Sequence, residues 1–240
     1  MNSLLTKIEE NVSRLREDVS RMCQRLDRDP RQITIVAVTK LASQELIQQA
    51  LEGGITDIAE NKVQEALKKY PGLKGPSGIV RRHFIGHLQT NKVKDAVKIF
   101  DMIQSVDSLR LAQELEKHSQ KLGRPLDILI QVNCSGEKQK FGIGKSGALS
   151  LIEAVEELKD LRVLGLMTIA PLTDDERVVR QCFQDLKRLR DRVQKEFAGS
   201  PHVQMKFLSM GMTGDYSVAL EEGSNMIRIG RAIFGEVNKV

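Results

Sequence analysis

Ile35-Val36-Ala37-Val38-Thr39-Lys40 is a short, largely β-branched apolar run that stops on a lysine. Residues 33–38 have the length and composition of a strand buried on both faces, as strands of parallel sheets are. A lysine ending such a strand either marks where the core gives way to solvent or is placed there for its amine. The choice depends on what the other strands end in.

Upstream, Leu4, Ile8, Val12, Leu15, Val19, Met22 and Leu26 recur at three- and four-residue intervals. They predict an amphipathic helix over residues 3–27, stopped by Asp29-Pro30. Downstream the pattern alternates. Strands are expected near 33–39, 56–59, 82–86, 101–105, 126–133, 162–168, 205–210 and 226–229. Helical patterns fall near 43–52, 61–70, 90–99, 108–122, 146–159, 174–197 and 215–222, with a short one from 231. About eight strand–helix units predict a single (β/α)8 TIM-type barrel with an extra N-terminal helix (1–28), residues 1–240 forming one domain. An open doubly wound sheet is the second reading. The segment "YPGLKGPSG" (70–78) lies within the alternation and reads as a surface loop.

The chain has 240 residues, a formal charge of +5, two tyrosines, seven phenylalanines and no tryptophan. That balance suits a small anionic ligand and supplies few stacking platforms for nucleic acid. Cys23, Cys134 and Cys182 are odd in number and widely spaced, which favours a reducing, cytoplasmic setting. No apolar run approaches the roughly 18 residues of a membrane span, and Glu9 and Glu10 sit where a secretion signal would need an apolar core.

In barrels the chemistry sits where strands end. Here the strand ends read Glu60-Asn61, Gly86-His87, Asn133, Met167-Thr168, Ser209 to Thr213, and Arg228 to Arg231, with Lys40 closing the ring. "SMGMTGD" (209–215) and "RIGRAIFG" (228–235) fall at the seventh and eighth, where barrels often bind phosphate. Gly211, Gly214 and Gly230 let backbone N–H groups approach an oxyanion, and Ser209 and Thr213 offer hydroxyls. A lysine across the mouth from a phosphate site is what an aldehyde-bearing phosphate cofactor needs. A desolvated amine there loses its proton more readily and can form a Schiff base.

Seven ordered motifs, "AVTK" (37–40), "ENKVQEA" (60–66), "HFIGHLQTNK" (83–92), "QVN" (131–133), "GLMTIAP" (165–171), "SMGM" (209–212) and "IRIGRAIFG" (227–235), carry a resemblance to a known family. The chain resembles the pyridoxal phosphate (PLP) homeostasis proteins, single-domain relatives of the alanine racemase barrel. The resemblance implies PLP held as a Schiff base on Lys40, and a phosphate cradle of Ser209, the backbone around Met210, Gly211 and Met212, and Gly230-Arg231. It implies Arg228 as partner of the pyridine nitrogen, with Asn61, His87 and Met167 as lesser pocket contacts. The implied role is intracellular PLP homeostasis or delivery to PLP-dependent apo-enzymes, without nucleic-acid or membrane partners. Two positions depart from the family pattern: Ala59 stands where glycine is common, and Arg231 where some members have threonine.

An arginine at the ring nitrogen cannot serve as its proton source, so the ring makes a poorer electron sink. Racemases tolerate this arginine, but resemblance says they take a second acid/base, a tyrosine, from a further domain. Tyr70 and Tyr216 do not match that role. A weak PLP-dependent racemase on the same site is therefore the rival reading.

Three other patterns weigh less. "GIGKSG" (142–147) ends like a phosphate-binding P-loop but has Gln139 where the motif needs glycine. His83 and His87 lack a third metal ligand in view. The basic stretch over 187–195 reads as a solvated helix face rather than a nucleic-acid patch.

Overall fold

The stretches that read as strands pair in parallel and close on themselves in the computed structural model, which describes residues 2–76, 78–137 and 141–235. The barrel strands are β1 (Thr34–Val38), β2 (Asp57–Glu60), β3 (Arg81–Phe84), β4 (Met102–Val106), β5 (Leu126–Asn133), β6 (Leu161–Met167), β7 (Val203–Ser209) and β8 (Met226–Ile229). Each pairs with the next, and β8 returns to β1 from Thr34↔Met226 to Ala37↔Ile229. That last pairing excludes the open sheet. A two-residue strand, Ile143–Gly144, pairs with the end of β5 and takes no part in closure.

The outer layer consists of α1 (Asn2–Arg25), α2 (Gln44–Glu52), α3 (Val63–Lys69), α4 (Val93–Ile99), α5 (Leu109–Leu122), α6 (Ala148–Glu156), α7 (Glu176–Glu196), α8 (Tyr216–Glu221) and α9 (Arg231–Phe234). Their apolar stripes meet the outward faces of the strands. Val179, Cys182, Phe183, Leu186 and Val193 of α7 are buried at helical spacing. Helix α1 ends before the expected residue 27 because Asp27 turns left-handed (φ 52°) and Arg28 N–H bonds back to Cys23 O at 2.9 Å.

Other boundaries differ for local reasons. The helix expected over 90–99 opens as a 3-10 turn, Thr90–Lys92, before α4. That expected over 146–159 opens as a 3-10 turn at Lys145–Gly147 and stops at Glu156, because the chain must enter β6 at Leu161. Strand β3 ends at Phe84, two residues short, where Gly86 lies so close to the Asn61 backbone that a Cβ would collide with it. Gln139, on which the P-loop comparison turns, lies outside the described residues.

The register decides what the barrel holds. Val36 on β1, Ala59 on β2, Met102 on β4, Leu129 on β5, Leu164 and Met167 on β6 and Met226 on β8 form one interior cluster, separate from the larger core under the helices. At the N-terminal end, Arg81 Nη2 and Arg162 Nε meet the Asp127 carboxylate at 2.6 Å and 2.7 Å. These ion pairs tie the starts of β3, β5 and β6. The opposite end is the mouth.

Candidate functional site

Strand alternation sorts the candidate residues by face. Register pairs carry the interior positions of β1 across to β2 (Val36↔Asp57) and to β8 (Val36↔Arg228). Continued to the strand ends, the same face takes Lys40, Asn61, Arg228 and Gly230. Met167 and Ser209 join it through Met167↔Ser209 and Ser209↔Met226. Met210 falls on the other face.

Arg228 is the charge at the centre of this floor, 3% exposed. Its Nη1 donates to Ser209 Oγ (2.7 Å), its Nη2 to the Thr168 carbonyl (2.8 Å), and its backbone N–H to Gly211 O (2.9 Å). Burial pulls its pKa down to about 10, while the nearby Asp215 carboxylate works the other way, so it stays cationic at neutral pH. Burial pushes Asp215 above the usual carboxylate range, against the Met212 N–H bond and the Arg228 charge that favour its ionised form. The guanidinium has more N–H groups than these two side-chain bonds use.

Lys40 stands just past β1 and is exposed at the mouth. The desolvated amine expected from sequence is thus not supplied by the protein's own packing. What the protein fixes is the backbone beneath it. Thr39, fully buried, turns outward: its Oγ1 lies 3.0 Å from Ala59 O, 3.2 Å from Glu60 Oε2 and 3.1 Å from Tyr70 Oη. Glu60 Oε1 accepts the Asn61 N–H at 2.8 Å, and Lys69 Nζ reaches Glu60 Oε2 at 3.4 Å and the Thr39 carbonyl at 3.4 Å. These contacts join the ends of β1 and β2, so Lys40 and Asn61 are set by one cluster. Sequence reading missed Thr39, Glu60, Lys69 and Tyr70; the available signal was a carboxylate placed directly before Asn61 in "ENK".

The two glycine-containing loops are narrower as anion sites than expected. Ser209 is fully buried, and its hydroxyl accepts from Arg228 and donates to Gln104 Oε1 (2.7 Å), so it anchors Arg228 below the mouth. Met210 is turned away from the mouth. Its side chain packs in the core under the helices, its N–H donates to Met226 O, and its carbonyl accepts from Ser224 Oγ. Met212 N–H is taken by Asp215 Oδ1, and Gly211, at φ +100°, turns the chain where a Cβ would lie 2.7 Å from Ala219 Cβ. Gly230 is different. Its φ of −109° suits any residue, and a Cβ would meet only Val38, at 3.5 Å or more. Such a Cβ would stand in the mouth between β8 and β1. Arg231 is exposed beside it.

Asn61 is exposed at the end of β2, and Met167 is fully buried in the barrel interior. His87 lies three residues past β3 rather than at its end, stacked on Phe141 with ring centroids 4.2 Å apart. His83, by contrast, is fully buried, and no metal-binding group of His, Cys, Asp or Glu occurs among the described residues. No described helix is long and apolar enough to cross a membrane, and Cys23, Cys134 and Cys182 are buried thiols, none of them in a disulfide. On α7, Arg188, Arg190 and Arg192 pair with Asp185, Asp191 and Glu196 of the same helix, as a solvated face does.

The site is thus a lysine at the end of β1 and a buried arginine on the adjoining β8, at one mouth of a closed parallel barrel. The family model described as "Alanine racemase, N-terminal domain" matches residues 10–238. A pyridoxal phosphate homeostasis protein of Aquifex aeolicus is 39% identical over 227 residues, covering 95% of this chain and 97% of the relative. That of Escherichia coli K12 is 36% identical, covering 96% and 97%. The chain belongs to the pyridoxal phosphate homeostasis protein family. Among solved structures, PipY of Synechococcus elongatus with PLP bound superposes with a TM-score of 0.82 at 30% identity, covering 95% of this chain and all of that one (100%). Alanine racemase of Clostridium difficile, at 15% identity and TM-score 0.74, shares the fold over 97% of this chain but only 56% of its own length.

Proposed function

We propose that this protein binds pyridoxal 5'-phosphate at the barrel mouth, covalently through Lys40 as a Schiff base, and serves to hold and deliver the cofactor rather than to run a dedicated reaction. The observation that carries this reading is the placing of Lys40, Arg228 and Gly230 on one face of two paired strands. A glycine that neither backbone nor packing requires leaves a cradle beside a lysine amine and a fixed cation. The PLP-bound PipY relative supports the choice of ligand.

The group supplies an aldehyde for an amine, a phosphate dianion and a ring nitrogen. Lys40 offers the amine. Thr213, Gly214, Gly230 and Arg231 would take the phosphate, with Ser209 and Met210 as supports beneath them. Arg228 offers N–H groups to the ring nitrogen. As an arginine it holds that nitrogen as an acceptor and gives it no proton. Asn61, just past β2, His87, three residues past β3, and Met167, at the end of β6, would be the lesser contacts.

The carrier reading is supported by where the two tyrosines lie. Tyr70 is buried in the outer layer against Thr39, and Tyr216 opens α8 near α1, so neither tyrosine stands over the mouth. Delivery to PLP-dependent apo-enzymes belongs to the same proposal.

Titration of the purified chain with PLP tests it, followed by visible absorption. Lys40→Ala should abolish the covalent band, keep the far-UV signature of the fold, and retain weak binding through the phosphate. An unchanged band in the variant would refute the assignment.

A further inference from the structure

Below Arg228 the barrel interior holds a chain of polar side chains where apolar ones would fill the space without desolvating any polar group. Arg228 Nη1–H donates to Ser209 Oγ (2.7 Å), and Ser209 Oγ–H to Gln104 Oε1 (2.7 Å). Gln104 Nε2 lies 2.9 Å from His83 Nδ1, and His83 Nε2 lies 2.9 Å from Asp57 Oδ1. The chain thus crosses β8, β7, β4, β3 and β2, from the mouth to the opposite end. Arg228, Ser209, Gln104 and His83 are each 3% exposed or less, and Asp57 is 9%.

Its direction is forced from both ends. Arginine can only donate, and an ionised carboxylate can only accept. Burial pushes Asp57 up, but the hydrogen bond from His83, the Thr56 hydroxyl at 2.7 Å and the Arg81 charge work the other way, and the carboxyl lies below the usual range. Serine has a single proton, so having accepted from Arg228 it donates to the glutamine oxygen. The glutamine nitrogen must then face a bare His83 Nδ1, which puts the histidine proton on Nε2. The second Gln104 N–H points to Met226 Sδ at 3.3 Å, so flipping the amide would set its oxygen against a thioether. No member can reverse alone.

We propose that Gln104, His83 and Asp57 are positioning residues for Arg228, acting through Ser209. They turn the Ser209 proton away from the guanidinium, so its lone pair accepts from Nη1 and the unused N–H groups of Arg228 stay directed to the mouth. The inference rests on the reading of Arg228 as the ring-nitrogen partner.

The test has two arms, both on the full chain. In the first, cofactor-free protein carries 15N-labelled histidine at about pH 8, where an ordinary imidazole is neutral. The expected His83 signal, assigned by its loss in His83→Gln, shows the proton on Nε2; a proton on Nδ1 overturns the proposal. Gln104→Glu sets a carboxylate oxygen against Nδ1 and should turn the same signal into an imidazolium. An unchanged tautomer there also overturns it.

In the second arm, Gln104→Leu is loaded with PLP. The visible band should shift and the Kd rise roughly three- to tenfold, as expected for one buried hydrogen bond, with Lys40 still the residue labelled on borohydride reduction. A spectrum and Kd equal to wild type overturn the proposal. If Gln104→Leu does not fold, the tautomer of Gln104→Glu decides. Failure of the wild-type chain to take up PLP on Lys40 instead overturns the underlying reading, and the positioning role with it, whatever the histidine shows.

Discussion

Gly230 and Asp57 are opposite cases at the scale of the residue. Gly230 adopts φ −109° and ψ −75°, and a methyl group there would touch only Val38 at ordinary contact distance. Gly230→Val should therefore leave thermal stability within a few degrees of wild type while weakening PLP binding about tenfold or more; equal affinity measured by titration would show that the cradle lies elsewhere. Asp57 matters to stability, and its sign follows from linkage. Its carboxyl is depressed in the fold, so its contribution is fully present above the unfolded value of about 3.9 and is lost as pH falls through the folded one. Urea unfolding should show Asp57→Asn costing more at about pH 6 than at about pH 3. That Lys40 stands at the end of β1 and Arg228 on the last strand was legible from the strand pattern, whereas the roles proposed for them came only through the resemblance. The Gln104–His83–Asp57 chain was not legible, since its members lie far apart and meet only through the register of neighbouring strands. The one signal was polar residues at inward positions of otherwise buried strands, as in "MIQSV" (102–106).

Among the elements, the β7–β8 seam is the weak joint of the barrel, with one ladder pair, Ser209↔Met226. Side chains reinforce it. The buried Ser224 Oγ lies 2.7 Å from Met210 O, 3.1 Å from Leu208 O and 3.2 Å from Met226 O, and Asn225 Oδ1 accepts the Leu208 N–H at 2.7 Å. Ser224→Ala leaves those carbonyls without the hydroxyl proton and should cost about 1–3 kcal/mol in chemical denaturation. Because the same seam carries Arg228, hydrogen exchange at the Met210 and Arg228 amides should quicken in that variant; unchanged exchange would show that the ladder holds by itself. Most strands were readable in sequence as apolar runs, and 126–133 and 226–229 at both ends, whereas the end of β3 was not. Gly86 shortens β3 because of the Asn61 backbone, a contact between loops that no local pattern carries.

For the whole molecule, the proposed function has the barrel hold an anionic cofactor by three separated handles: an amine, a phosphate cradle and a fixed cation. Pyridoxal without its phosphate should bind at least tenfold more weakly, since charge-assisted bonds contribute about 1.5–3 kcal/mol each; equal affinity for both vitamers would remove the cradle from the account. Amino-acid α-proton exchange in D₂O should stay far below ordinary enzyme rates of roughly 1–10³ per second, and Arg228→Glu should not raise it, because a deeper electron sink does not bring Tyr70 or Tyr216 to the mouth as a second acid/base. PLP occupancy measured alongside keeps that comparison fair. The most direct measurement is borohydride reduction of the PLP-loaded wild-type chain followed by peptide mass mapping. The account predicts one pyridoxyl-modified site, Lys40. A label on Lys62, Lys69 or any other lysine, with Lys40 unmodified, would contradict it.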